Sequence, residues 1–504
     1  MMCAVRSRRG QNARVFAYAL LVAAAVLFFC SKSSFGYPIN DWSDANIYFT
    51  IGKGMTRGQV VYRDLYDHKG PLLYALHALC ALISFGDFTG VYLMEVCFAA
   101  LFLTGAYRLM VLYGARRAAW LMLPVLALLI YTSASFAEGD SAEELCLPLM
   151  VWSLYGVLRH FGRGGGRMPA RELVWQGVLA GCVFWIKFTI CGVHAGLFLA
   201  LLVHLAARRD WRGLWRSLGW LIAGFALSTL PWVVYFGANG AVADWLGTYL
   251  YDNLFLYSAS EEAAGLVQRV KAMLLCGWEW VRDNPACSLP LAGGLVWFAW
   301  KRPRPEALAV WLAALVGALG VFAGGKSYPY YGLALAALAP LGLIPLGRVL
   351  ESRLARLSRW ALTGCAAALA AACVGLCPLL SGNMTADYGA PFGQPREETM
   401  QYRIAAYLEK DATLLNYGFM DAGFYTAAGL VPRVKYFHQT NVPLEEMLAE
   451  QLRYIREGVC DYVITRGKQP EWIVERYELI ATESSPNFWY DAVYLYRQKS
   501  LSSR

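Results

Sequence analysis

At 504 residues, with 58% hydrophobic and only 16% charged side chains and a mean hydropathy of +0.39, the chain is too apolar for a soluble globular domain and reads as a polytopic membrane protein. Its net charge of +9 does not mark a nucleic-acid partner, because the cations gather in short loops between apolar segments. The thirteen cysteines fall mostly inside those segments without metal-ligand spacing, so they read as small core residues, and a divalent metal or other cofactor finds no support.

The first apolar segment, 15–35, follows Arg6, Arg8, Arg9 and Arg14. A basic start also suits a cleaved signal peptide, but no small-residue cleavage site follows Phe29 and Cys30, so a retained anchor is expected. Further spans are expected over 88–112, 118–135, 144–159, 171–187, 188–207, 214–236, 286–300, 306–324, 331–347 and 360–380. At roughly 20 apolar residues per crossing, that makes about eleven transmembrane helices. Arg116 and Arg117, Arg159 to Arg171, Arg208 to Arg216, Lys301 to Arg304 and Arg348 to Arg359 fall in alternate loops, opposed only by Glu172, Asp210, Glu306 and Glu351. The positive-inside rule then places the N-terminus in the cytoplasm and the C-terminal region outside. Counting the short apolar stretch from Pro71 to Phe85 as a span would invert every later basic loop, so it is expected to lie at the outer interface or re-enter.

The chemistry is concentrated in the outer loops. Between Tyr37 and Pro71 the sequence crowds Asp41, Asp44, Asp64 and Asp67 with Arg57, Arg63, His68 and Lys69. Proton acceptors beside phosphate-binding cations suggest group transfer with a phosphate leaving group. A carboxylate such as Asp44 suits general-base work, and Lys69, at the start of the short helix, suits a developing phosphate charge. The second outer loop holds Glu138, Asp140, Glu143 and Glu144 without a cation, a pattern that binds cations, holds sugar hydroxyls or shares protons. Lys326 stands beside Tyr328, Tyr330 and Tyr331, while Glu95 and Lys187 are ionisable groups at membrane depth, which usually face a cavity. His194 and His204 lack ligand partners and read as packed.

After residue 381 the composition changes to that of a soluble domain. Helices are expected over Arg396 to Lys410, Pro443 to Glu457 and Pro470 to Tyr477. Strands are expected over Ala412 to Phe419, Val434 to His438 and Asp461 to Thr465, with strand-like segments to Tyr496. The domain division is therefore 1–380 for the membrane unit and 381–504 for a small α/β unit.

The run G-Q-V-V-Y-R-D-L-Y-D-H-K-G-P-L-L-Y (58–74), with an acid upstream at Asp44 and an acidic loop ahead of the fourth span, resembles the GT-C glycosyltransferases. The resemblance is to the family 39-like branch, similar to protein O-mannosyltransferases and the lipid A aminoarabinose transferase. It covers about residues 15 to 350, and its most specific element is the Tyr62-Arg63-Asp64 to Lys69-Gly70-Pro71 run. It implies a GT-C helical membrane fold, a polyprenyl-phosphate sugar donor, a glycan, lipid or protein acceptor outside the cytoplasm, and inversion at the anomeric carbon. Residue by residue it implies Asp44 as general base, Lys69 as a phosphate contact with Gly70 inserted before the proline, Glu143 or Glu144 as the second-loop acid, and 326–331 as the tyrosine-rich outer loop. Arg57, Tyr62, Arg63, Asp67, His68, Asp140, Lys187, Lys326, Tyr330 and Tyr331 complete the expected substrate-binding set. The second loop is short and carries Glu where the family more often has Asp, which leaves the acid partner and any metal dependence open. A lipid-linked oligosaccharide flippase, and a polysaccharide polymerase or ligase, share parts of this pattern; the flippase would show repeat symmetry, which the sequence lacks.

Overall fold

A computed structural model describes residues 2–257, 265–386, 389–467, 469–484 and 492–501, with side chains from residue 11 onward; Arg6, Arg8 and Arg9 lie outside the described side chains. In chain order the helices are α1 (Met2–Cys30), α2 (Ser43–Thr56), α3 (Pro71–Ile83), α4 (Thr89–Leu112), α5 (Ala118–Tyr131), α6 (Ala142–Gly162), α7 (Ala170–Phe184), α8 (Gly192–Ala207), α9 (Trp211–Ala238), α10 (Val242–Leu246), α11 (Leu266–Asp283), α12 (Pro285–Lys301), α13 (Arg304–Phe322), α14 (Pro340–Leu354) and α15 (Arg359–Leu380).

Among the described residues six helices are long and apolar enough to cross a membrane: α1 from Gln11, α4, Phe188–Ala207, α9, α13 and α15. The 3-10 helix Pro329–Leu338 and α14 make a seventh if their 42° bend is one broken span. Pro340 opens α14, and a proline has no N–H to continue the preceding turn. The rest of the eleven expected crossings are shorter or more polar: α5, α7 and α12 have 14, 15 and 17 residues, and α6 carries Glu143, Glu144 and Arg159. α3, at 13 residues, is about 20 Å long and falls short of the roughly 30 Å hydrocarbon core, as expected from the sequence.

The bundle closes through small residues. A Cβ at Gly177 of α7 would stand 2.1 Å from the Leu221 carbonyl oxygen, and one at Gly224 of α9 would stand 2.1 Å from that of Val174. Lipid gives helices no hydrophobic reason to pair, so close backbone approach and dispersion do that work.

Beyond Leu380 the chain builds a four-stranded sheet of order β1-β2-β4-β3, with β1 (Leu414–Asn416), β2 (Tyr462–Arg466), β3 (Tyr477–Glu483) and β4 (Val493–Gln498). β1 and β2 run parallel, Leu414 facing Tyr462, so they need a crossover, which the helix Glu445–Glu457 supplies. β4 is antiparallel to both of its neighbours. Two expectations fail in this domain. Residues 434–438 form no strand, because their carbonyls are taken by other partners: Lys435 O accepts from Tyr66 N, and Phe437 O from Asn416 N. Residues 396–410 are not one helix but the 3-10 turn Arg396–Glu398 and the short helix Met400–Ala405, separated at an extended Thr399.

The sheet domain docks on α2 and the residues that follow it. Thr50 Oγ1 donates to Asp421 Oδ2 (2.8 Å), Lys53 Nζ to Tyr425 O (3.1 Å) and Gln59 Nε2 to Pro432 O (2.6 Å). α2 is thus held between the bundle and the C-terminal domain, and α2 carries Asp44.

Candidate active site

Asp44 sits in the first turn of α2, and Tyr48 follows one turn later on the same face. The Tyr48 hydroxyl donates to Asp44 Oδ2 at 2.9 Å, and Tyr330 Oη reaches the same oxygen at 3.4 Å. Both contacts fall on Oδ2. Asp44 and Tyr48 are buried and Tyr330 is half-buried, yet Asp44, Trp42 and Tyr330 also line an open cavity of about 1050 Å³.

On the other side of these tyrosines lies a cavity of about 580 Å³ lined by His68, Lys69, Lys187, Arg269 and Lys326. Its remaining wall is largely apolar, with Phe188, Leu254, Val321 and Ala323. Lys69 is brought here by a close backbone approach. Gly70 N donates to Ile186 O and Leu72 N to Trp185 O, both at 3.0 Å, and a Cβ on Gly70 would stand 2.0 Å from the Trp185 carbonyl oxygen. Glycine between Lys69 and Pro71 is therefore a requirement of this packing. The same pairing sets Lys69 beside Lys187, which ends the segment after α7. Lys187 Nζ pairs with Glu143 Oε1 at 2.5 Å and stands over the Tyr331 ring at 3.9 Å. Lys326 stands over the Tyr257 ring at 3.4 Å.

The loop before Lys69 tunes its charge. Burial pulls the Lys69 ammonium down, but the Asp44 and Asp67 carboxylates outweigh it and raise its pKa. Burial would raise Asp67, yet contact with His68, whose Nδ1 lies 3.3 Å away, and the charge of Lys69 hold it well below the usual carboxylate range. Burial, then Lys69, push the His68 imidazole down. Asp67 also accepts from Tyr74 Oη at 2.5 Å, and Tyr62 Oη donates to Lys69 O at 2.6 Å. Tyr62 and Asp67 therefore shape the Lys69 loop from behind.

Four expected site residues stand elsewhere. Arg57 is exposed against the Phe85 ring, and Arg63 is spent on Asp64 (2.8 Å) and Asn239 O (2.9 Å); neither lines either cavity. Glu143 and Glu144 are consecutive on α6, so their side chains diverge by about 100°. Glu143 meets Lys187, whereas Glu144 turns inward with Asp140 and Glu95. Ser31 Oγ donates to Glu95 (2.8 Å), Asp140 N to Glu95 Oε1 (2.9 Å) and to Glu144 Oε2 (3.0 Å), and His77 Nε2 lies 3.0 Å from both Asp140 oxygens. His77 Nδ1 must donate to Leu73 O, so the Nε2 contact holds one further proton between His77 and Asp140. Burial raises the Asp140 carboxyl against the pull of His77. Glu95, Asp140 and Glu144 thus form a sealed cluster instead of facing a cavity. Among the described residues no group of three or more His, Cys, Asp or Glu is arranged to hold a metal ion.

Sequence reasoning missed Tyr48, although its spacing from Asp44 was readable. It also missed Tyr249, Asn253 and Tyr257, which line the cationic cavity from the π-helical stretch Gly247–Leu256 and the residue after it. The aromatic run Y-D-N-L-F-L-Y (251–257) was the available signal.

No protein-family model matches the sequence, and no curated protein matches it. Among solved structures, the chain is similar to ArnT from Cupriavidus metallidurans bound to undecaprenyl phosphate, at 16% identity over 96% of this chain and 98% of that one, with a TM-score of 0.58. The apo state of the same ArnT aligns over 97% and 98% of the two chains at 16% identity, with a TM-score of 0.48. The chain therefore has the GT-C fold of ArnT, from the membrane bundle through the small C-terminal sheet.

Proposed function

We propose that this integral membrane protein is a glycosyltransferase that moves a sugar from a polyprenyl-phosphate carrier to a hydroxyl acceptor. The observation that carries the reading is one junction. A cavity with four cations and an apolar wall meets, across Tyr48 and Tyr330, the carboxylate of Asp44. The cations suit a phosphate and the apolar wall suits a prenyl tail. The ArnT whose fold this chain shares holds undecaprenyl phosphate.

In the proposed reaction the acceptor oxygen forms a bond to the anomeric carbon while that carbon's bond to the phosphate oxygen breaks. The acceptor proton passes to Asp44, and the electron pair leaves with the polyprenyl phosphate. Tyr48 and Tyr330 both engage Oδ2 of Asp44, which leaves Oδ1 for the acceptor hydroxyl. Lys69, Lys187 and Lys326 take up the charge that grows on the phosphate, an effect strongest in a site that excludes water. With base and cations on opposite sides of the tyrosines, attack comes from the face away from the leaving group, and the anomeric centre inverts. Glu143 acts as counter-ion to Lys187 and keeps its cavity-side position. The basic loops support a cytoplasmic N-terminus and a sheet domain, with both cavities, on the outer side.

The test is to delete the protein and analyse extracted lipids. The reading requires a polyprenyl-phosphate sugar to accumulate, and complementation with the native chain to clear it. An unchanged lipid-linked sugar pool would overturn it.

A further inference from the structure

The cavity on the Asp44 side has a chemistry opposite to that of its neighbour. Among the described residues it is lined by Asp41, Asp44 and Glu138 with the cation Arg466, whereas the described lining of the phosphate-side cavity has four cations and no carboxylate. The charge of Asp41 is answered by Lys32 at 2.7 Å, which leaves Asp44 and Glu138, opposed by Arg466, to set the potential inside. Burial, together with Asp41 and Asp44, raises the Glu138 carboxyl, although Lys32 opposes them.

The rest of the wall is made for hydroxyl groups and ring faces. Thr132, Ser133 and Asn383 spend their donors on backbone carbonyls and offer acceptor oxygens, and Asn441 adds an amide. Trp42 and Tyr330 meet edge to face with ring centroids 5.0 Å apart, and Tyr328 stands 5.9 Å from Tyr330. Aromatic surface with a few placed polar groups is how concave sites hold a polar ring, its C–H face on the aromatic and its hydroxyls on the amides. One side of this wall belongs to the C-terminal domain: Met420, Ala422, Asn441 and Arg466, the last residue of β2.

Resting on the transferase reading above, we propose that this 1050 Å³ cavity is the acceptor subsite, that it takes a hydroxyl-rich glycan bearing no phosphate, and that the C-terminal domain is its selecting wall. An acceptor entering here presents its hydroxyl to Oδ1 of Asp44. A phosphate on the same acceptor would lie against Asp44 and Glu138 in a partly desolvated space, where like charges repel most strongly. The C-terminal domain thereby acquires a role in specificity that is separate from fixing α2.

The full-length protein, loaded with undecaprenyl phosphate, is applied to an oligosaccharide array carrying matched neutral and phosphorylated glycans. Undecaprenyl phosphate loading is read independently by native mass spectrometry. The proposal expects retention on neutral glycans, at least tenfold over their phosphorylated counterparts. Asn441→Trp, which fills an exposed part of the cavity from the C-terminal domain, should abolish retention and leave undecaprenyl phosphate loading unchanged. Glu138→Lys should move the preference toward phosphorylated glycans. Equal or preferred retention of phosphorylated glycans, no glycan retention at all, or variants that bind like the parent would each overturn the proposal. Failure to load undecaprenyl phosphate would instead count against the transferase reading.

Discussion

Two groups of carboxylates at one end of the bundle, Asp44 on α2 and the set of Glu95, Asp140 and Glu144, end in opposite states. Asp44 stands between two cavities with tyrosines on one oxygen and cations beyond them. Glu95, Asp140 and Glu144 are sealed against one another, Ser31 and His77, with no cavity before them. Crowded acids at a membrane face are therefore two different things. On the proposed reading one is a base kept reachable, while the other is a proton-sharing knot that ties α4, α6 and the second loop together. Access, more than charge count, separates them.

The sharpest way to break that contrast is to neutralise one acid from each group. Asp44→Asn keeps size and removes basicity, so turnover should fall by at least roughly 10²-fold at normal protein level. Glu144→Gln should leave turnover per folded molecule near that of the parent and change thermal stability instead. Asp41→Asn should resemble Glu144→Gln, because Asp41 is tied to Lys32 and to the Ala390 N–H, each at 2.7 Å. A dead Asp41→Asn beside an active Asp44→Asn would transfer the base role to Asp41.

Lys69→Ala comes next. Losing a charged hydrogen bond to the donor phosphate costs about 1.5–3 kcal/mol, which is roughly 10- to 150-fold in donor use. Arg57→Ala, at an exposed cation outside both cavities, should leave donor use unchanged. Steady-state kinetics over donor concentration reads both, and equal losses would erase the distinction drawn between them.

Tyr48→Phe removes one donor from Oδ2 while the ring stays in place. Its effect should be about 1.5 kcal/mol, a roughly tenfold loss in turnover with unchanged donor affinity. A loss confined to donor affinity would mean that Tyr48 serves the phosphate side.

The smallest effect concerns stability. Lys53, on α2 outside the spans, is pushed down to about 7 by burial, against the pull of Asp421. Unfolded, it returns to about 10.4. Between those values the unfolded chain binds more protons, so stability should rise as pH climbs from 7 toward 10. The groups around Lys53 are Asp421, the Tyr425 carbonyl and the Phe49 and Phe85 rings. Lys53→Met should flatten the difference between unfolding midpoints at pH 7 and pH 9. Asp421, raised by burial, contributes with the opposite sign as pH climbs above its unfolded value. An unchanged slope in Lys53→Met would remove Lys53 as its source.

Much of this arrangement was legible in the sequence. Apolar spans, the compositional change near residue 381, and Asp44, Lys69, Lys187, Lys326, Tyr330 and Tyr331 were all readable as candidates. Arg57 and Arg63 were misread because a loop's local sequence does not say which way its side chains leave, and Arg63 found Asp64 next door. Glu143 and Glu144 were interchangeable on paper and were separated only by the 100° step of the helix that carries them. The strand expected at 434–438 failed for a tertiary reason, since its carbonyls are divided between Tyr66 of the first loop and Asn416 at the end of β1.

The grip of the C-terminal domain on α2 has a consequence for how the protein is made. Thr50 and Asp421 are 371 residues apart, so the contact cannot exist until that whole stretch has been made. During membrane insertion the helix bearing Asp44 waits without its clamp, and the wall that Met420, Ala422, Asn441 and Arg466 supply is still unmade. A nascent or truncated chain should therefore sit in the bilayer with its cations in place and its acceptor side open. On the proposed reading, competence to react waits for the C-terminal domain.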